Sequence, residues 1–476
     1  MKTVQHTSPG GSSGAAGDRT AQVLDPAGNW HPSMWRTLPV KHPTRWASRP
    51  VLSTVRDHLR SAPALTTAAD VRASFDALAA VSAGDAFVVQ AGDCAEPFGS
   101  ELVRGVAGRD RVIGSMATRL SAVLDKPVVT IGRLAGQFAK PRSKPTEVVD
   151  GRELPSFRGL IINGPDFEER SRTPDARRMI AGYYNAKAVF HELHRIAHHN
   201  ASNLLDLPLL VDPTGTHEVD ALRHLGEHSS SRPADGSLSS ALAGYGTTRR
   251  AAAGWQHRGL WTSHEALVLD YEEPLVRRDQ VTGQWYLAST HVPWIGERTR
   301  DVDSAHVRFL AGLSNPLACK IGPSADVDEV LRLCAVLDPH REPGRLTLIL
   351  RMGRAKADER IGAIVSAVRD AGHPVVWMCD PMHGNTIATK SGFKTRRLDD
   401  IAAEISSFFH HVRAAGQWPG GIHLEMSPDD VGECLDAGAG PDADVSGSSY
   451  ETLCDPRLNG SQALVINEIV GDLLAG

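Results

Sequence analysis

Residues 375–386 read VVWMCDPMHGNT. Apolar, β-forming residues run as far as Cys379, and then Asp380, Pro381, Met382, His383, Gly384 and Asn385 follow with no helical spacing among them. An apolar run without polar alternation is a strand covered on both faces, as in a parallel sheet with helices outside it. The pattern recurs in AFVVQAGDC (86–94), PVVTIGR (127–133), RGLWTSHE (258–265), STHVPWIGER (289–298), LACKIGP (317–323), LTLILRMGR (346–354) and GIHLEMS (421–427). Between the later runs lie amphipathic stretches such as DVDEVLRLCAVLD and ERIGAIVSAVRDAG, with apolar residues three and four apart. The last five strands begin about 25 to 45 residues apart, the spacing of repeated βα units. The expected fold is therefore α/β, a (β/α)8 TIM barrel. A doubly wound open sheet is the alternative, but no GxGxxG turn follows the first strand.

Two regions exceed a minimal barrel. Residues 1–29, rich in Gly, Ser and Ala, are expected to be a flexible leader. Residues 30–85, with MWRTLPV and the helical AADVRASFDALAAVS, are expected to be an N-terminal extension packed on the barrel, which then occupies 86–476. The interval from about 134 to 257 is too long for one βα loop and reads as an insertion after strand two. It holds a helix, PDARRMIAGYYNAKAVFHELHRIAHH, and a Pro/Ser/Gly-rich stretch, EHSSSRPADGSLSSALAGYG.

Bulk chemistry narrows the function. The chain has 476 residues, 41% of them hydrophobic and 22% charged, which suits a large packed core. A net charge of −5 with mixed signs offers no footprint for nucleic acid or an anionic membrane. There is no apolar run long enough for a membrane span and no secretory h-region, so a cytoplasmic protein is expected. The six cysteines include no CxxC pair and read as reduced thiols.

In a TIM barrel, chemistry gathers at the C-terminal strand ends. Those ends carry Asp93 and Cys94, Arg133, His264 and Glu265, Glu297 and Arg298, Lys320, Arg351, Asp380 and His383, and His423 and Glu425. Arg133, Arg298, Lys320 and Arg351 put cations on separate strands, suited to a small substrate with several negative charges. Cys94, His383 and Glu425 come from strands one, seven and eight, neighbours in a closed barrel, with Asp455 of CDPRLN beyond. They fit a divalent-metal site. A thiol nucleophile with its imidazole base fits Cys94 and His383 equally. In KPRSKPTE (140–147), Lys140, Arg142 and Ser143 suit a second phosphate, or else form a solvated basic turn.

The segments QAGDCAEPF, GRLAGQFAKPRSKPTE, SHEALVLDYE, WIGERTR, KIGP, RMGR, CDPMHGNT, SGFKTRRLDDI, GGIHLEM and YETLCDPRLN, in this order from about residue 35 onward, resemble the class II 3-deoxy-D-arabino-heptulosonate 7-phosphate (DAHP) synthases. The resemblance implies condensation of phosphoenolpyruvate with erythrose 4-phosphate, the first step of the shikimate pathway. It implies Mn2+ or Co2+ held by Cys94, His383, Glu425 and Asp455. Phosphoenolpyruvate would be bound by Arg133, Arg298, Lys320 and Arg351, with Glu297 placing a water, and erythrose 4-phosphate by Lys140, Arg142 and Ser143. Glu297, Lys320 and His383 are the residues expected to be catalytic. A homo-oligomer, dimer or tetramer, is expected, as is a possible chorismate mutase partner.

The chain departs from the family in two places. LDLPLLVDPTGTHEVDALRHLGEHSSSRPADGS (205–237) lacks the Trp-Asn-containing segment and helical pair of typical members, and Pro293 stands beside the phosphoenolpyruvate residues. The first, with the Gly/Ser-rich leader, points to an enzyme of a specialised-metabolite pathway; Pro293 points to the alternative of a modified acceptor such as an amino-sugar phosphate, giving aminoDAHP, and a non-catalytic partner of a chorismate mutase is the remaining alternative. Effector coupling of 1–3 kcal/mol needs a built second site, and SSSRPADGS is poorly suited to one. Trp, Phe and Tyr, alone or together, are accordingly expected to inhibit little at millimolar concentration. Steady-state titration checks this, and strong inhibition by any of them refutes it.

Overall fold

The structure, a computed structural model, describes residues 30–142, 144–206, 259–440, 443–445 and 449–476. The expected leader (1–29), Ser143 and most of the departure at 205–237 lie outside these residues.

Eight parallel strands follow one another as β1 (Phe87–Gly92), β2 (Val128–Arg133), β3 (Trp261–Ser263), β4 (Trp294–Ile295), β5 (Leu317–Ile321), β6 (Leu346–Leu350), β7 (Val376–Cys379) and β8 (Pro419–Glu425). Adjacent strands pair in sequence order, and β1 also pairs with β8, Val88 lying opposite Gly421. The ring closes between β3 and β4: Ala266 N donates to Trp294 O at 3.0 Å and Trp294 N to His264 O at 3.0 Å. The barrel is the one expected. Strand four is shorter than STHVPWIGER suggested, because Pro293 has no N–H for the ladder. The amides of His291 and Val292 turn instead onto Thr262 O.

Alternation along the strands divides the core in two. One set, including Val89, Leu348 and Ile422, faces outward against the helices. The helix Arg354–Asp370 meets this layer with Ala357, Ile361, Ile364, Val365 and Val368, three and four apart. The other set, including Val88, Val129, Ile131, Trp261, Ala318, Ile349, Val376 and Met378, fills the barrel interior. Ala77, Leu78 and Val81 of the helix Ala68–Ser82 join that inner cluster, so the N-terminal extension contributes to the barrel's own core.

The inward parity then fixes the site. Continuing it toward the C-terminal ends passes from Ile131 to Arg133, from Ala318 to Lys320, from Ile349 to Arg351, from Met378 to Asp380 and from Gly421 to His423 and Glu425. The inner face is apolar below and ionic above.

Before β3 the chain forms a two-stranded ribbon, Thr146–Val149 with Arg152–Pro155, and a long helix, Arg177–Asp206. Among the described residues no helix is long and apolar enough to cross a membrane, and all six cysteines are free thiols.

Candidate functional site

The strand ends enclose a cavity of about 290 Å³ lined by Arg133, Lys140, Glu265, Trp294, Glu297, Arg298, Lys320, Arg351, His383, Lys394 and Asp455, among others. Trp294 organises one side of it. The Arg133 guanidinium lies 5.1 Å and the Lys320 ammonium 5.8 Å from its ring, while His423 meets it edge-on at 5.4 Å. Both cations thus rest against an aromatic face, which favours them electrostatically without neutralising them. Buried Arg133 pairs with Glu425 at 2.9 Å and also reaches His423 Nε2. Lys320 pairs with the fully buried Asp380. Burial pushes Lys320 down to about 8, with Asp380 opposing the shift. Burial likewise holds His423 well below its ordinary value, so it is a neutral partner.

Arg351 donates to His383 O at 2.7 Å, and Arg298 stands exposed at the mouth. Glu297 is held by Arg300 at 3.1 Å and by the Ser324 hydroxyl at 3.2 Å, leaving it fixed at the cavity wall.

The second half of the site is a donor cluster. His383, Glu425 and Asp455 offer ligand atoms all within 4.8 Å of one another. His383 Nδ1 lies 2.8 Å from Asp380 Oδ2, which turns Nε2 toward Glu425 Oε1 at 3.1 Å. A carboxylate behind an imidazole is the usual way a ligating ring is fixed. Lys140 Nζ sits between the carboxylates, 3.0 Å from Glu425 and 2.5 Å from Asp455; Lys394 reaches Asp455 at 2.9 Å and Arg396 reaches Glu425 at 2.8 Å. The carboxylates therefore converge on a point that draws in positive charge, and an N,O,O donor set fits a divalent ion. Cys94 is not in this set: its Sγ lies 3.1 Å from Thr452 Oγ1, and burial raises its thiol.

The structure thus gathers Arg133, Arg298, Lys320, Arg351, Glu297, His383, Asp455 and Lys140 around one cavity, with Glu425 directly behind it. It does not bring in Arg142, which pairs with Glu147 at 3.0 Å. Sequence reasoning assigned no role to Trp294, Lys394 or Arg396. Trp294 reads as an apolar strand residue, while the KTRR run within SGFKTRRLDDI was the available signal for the other two.

The model of the class-II DAHP synthetase family matches residues 30–471. A relative from Pseudomonas fluorescens, named probable phospho-2-dehydro-3-deoxyheptonate aldolase, is 41% identical over 422 residues, covering 88% of this chain and 92% of its own. One from Streptomyces coelicolor, named phospho-2-dehydro-3-deoxyheptonate aldolase, is 38% identical over 459 residues, covering 95% and 98%. The chain belongs to the class-II DAHP synthetase family. A solved phospho-2-dehydro-3-deoxyheptonate aldolase from Francisella tularensis SCHU S4 aligns with a TM-score of 0.48 at 12% identity, over 89% of this chain and 93% of that one.

In this class-II synthetase Glu265 lines the cavity beside the cations. Burial pushes its carboxyl up from 4.5 to about 7, against the pull of Lys140, Arg298, Lys320 and Arg133. A raised folded-state pKa contributes stability that is complete below the unfolded value and disappears as pH rises through the folded one. Apparent stability should therefore fall between about pH 4.5 and 7 on this account. Glu265→Gln should flatten that part of the profile, as read by thermal midpoints across pH; an unchanged slope refutes the assignment.

Proposed function

We propose that the chain condenses phosphoenolpyruvate with erythrose 4-phosphate to give 3-deoxy-D-arabino-heptulosonate 7-phosphate and inorganic phosphate. The observation that carries this reading is the shared cavity: Arg133, Lys320, Arg351 and Arg298 stand beside the His383–Glu425–Asp455 donor cluster. His383, Glu425 and Asp455 would hold Mn2+ or Co2+, with Cys94 turning from Thr452 to join them as a thiolate. That ion would supply Lewis acidity toward the aldehyde oxygen of the acceptor.

The chain's own groups do the rest. Lys320, Arg133, Arg351 and Arg298 bind the carboxylate and phosphate of phosphoenolpyruvate and orient its methylene carbon toward the aldehyde. As that carbon attacks, positive charge develops at the carboxyl-bearing carbon. Glu297, fixed by Arg300 and Ser324, places a water to add there. The hemiketal phosphate so formed expels phosphate, and the same cations stabilise the leaving group. Lys140, which lines the cavity, receives the phosphate of the acceptor, and Arg142 and Ser143 of the same segment join it once Arg142 exchanges Glu147 for the phosphate. The departure at 205–237 supports a place in a specialised-metabolite pathway rather than a feedback-controlled one.

The test is phosphate release and product formation from phosphoenolpyruvate with a panel of aldose phosphates, in the presence of Mn2+. Turnover with erythrose 4-phosphate is expected. Turnover with an amino-sugar phosphate alone moves the acceptor to the alternative, and turnover with none overturns the reading.

A further inference from the structure

The helix Arg354–Asp370 begins directly behind Arg351, and its N-terminus has no side-chain cap of its own. Its first amides are satisfied from elsewhere. Gly353 N donates to Glu404 Oε1 at 2.8 Å, and Arg354 N donates to Asn385 Oδ1 at 2.9 Å. Asn385 Nδ2 in turn donates to Glu404 Oε2 at 2.7 Å and to Pro381 O at 2.8 Å. One carboxylate on the helix Leu398–Ala414 therefore ties the turn after β6 to the turn after β7.

The two turns also touch backbone to backbone. A Cβ on Gly353, where φ is +74°, would lie 2.7 Å from Gly384 O, and one on Gly384 would lie 2.2 Å from Gly353 N. Neither position tolerates a side chain without the turns separating. At their tips stand Arg351 and His383, joined by the 2.7 Å bond from Arg351 Nη2 to His383 O. Glu404 itself is 1% exposed and does not line the cavity. Among the described residues it pairs with no cation. A buried acid without a counter-ion is costly unless hydrogen bonds satisfy it; burial pushes Glu404 up to about 8, and its bonds from Gly353 and Asn385 oppose that shift.

We infer that Glu404 is a positioning residue: through Gly353 and Asn385 it sets the separation between Arg351, on the phosphoenolpyruvate side, and His383, on the donor cluster. This rests on the function proposed above. Side chains behind ligating groups, when replaced, typically cost about 10–100-fold in metal affinity.

Glu404→Gln keeps the volume but can accept only one of the two bonds. Asn385→Asp keeps the acceptor for Arg354 N and removes the donor to Glu404. Each variant is compared with the parent by thermal midpoint, by phosphoenolpyruvate binding calorimetry and by Co2+ titration followed by absorbance. Paired losses of about ten-fold in phosphoenolpyruvate affinity and in Co2+ affinity are expected for both variants. A lowered midpoint with both affinities unchanged means a merely structural role and overturns the inference. Arg351→Ala is the control for the underlying reading. If it leaves phosphoenolpyruvate binding intact, the proposed anion site is wrong. If it weakens binding while Glu404→Gln and Asn385→Asp do not, only the positioning role fails.

Discussion

Removal of divalent ions by chelation is expected to abolish turnover, and added Mn2+ or Co2+ to restore it. The charge arrangement at Glu425 supplies the reason. Burial alone would push its carboxyl up, yet His383, Lys140, Arg396 and Arg133 together hold it well below the ordinary carboxylate range. It therefore stays ionised in the working range of pH, as an oxygen ligand must. Asp455 is held low as well: burial would push it up, but Lys140, Arg396 and Lys394 together outweigh that. His383→Ala removes the nitrogen donor that Asp380 orients at 2.8 Å, and no other described imidazole belongs to the cluster. Ion affinity should fall by at least the 10–100-fold typical of lost supporting contacts, since a direct donor is removed. Calorimetric titration of Mn2+ into the stripped variant measures this. Full activity in a verified metal-free preparation would sink the claim.

The barrel was legible because its strands are covered on both faces, which leaves unbroken apolar runs such as Leu346–Leu350 and Val376–Cys379. The rim was legible for a related reason. Charged side chains directly after such runs point up the inner face by the two-residue period, as Lys320 and Arg351 do. What the sequence hid falls into two kinds. Trp294 is an apolar residue in an apolar strand, and only closure of β3 on β4 reveals its face to Arg133 and Lys320. Lys394 and Arg396 lie in and just after a two-residue hairpin strand, not at the end of a barrel strand, so no period of the barrel aims them at Asp455 and Glu425. Arg142 shows the converse: the motif displays its charge, but not that Glu147 on the adjoining ribbon pairs with it. Charge type is local information, whereas pairing is decided by long-range closure.

Arg298→Ala is expected to damage phosphoenolpyruvate handling while leaving the fold intact. The choice of this cation over its neighbours follows from burial. Arg133 is 1% exposed and is one of several groups around the buried Glu425, so truncating it disturbs a packed ionic cluster and mixes a stability loss into the readout. Lys320 is likewise buried, against Asp380. Arg298 is exposed at the cavity mouth, and its removal leaves the buried pairs at Glu425 and Asp380 in place. Bound phosphoenolpyruvate changes that balance, because the substrate's charges lose water on entering and need a partner. Truncating one member of a desolvated charge pair costs about 2–5 kcal/mol, and a mouth position places the loss near the lower end, about thirty-fold in kcat/KM. Arg298→Lys should recover only part of it, since an ammonium keeps the charge but not the planar fork. The thermal midpoint of both variants should match the parent. Unchanged saturation kinetics for phosphoenolpyruvate in Arg298→Ala would remove this residue from the anion site, leaving Arg133, Lys320 and Arg351 to bind the substrate from the barrel interior alone.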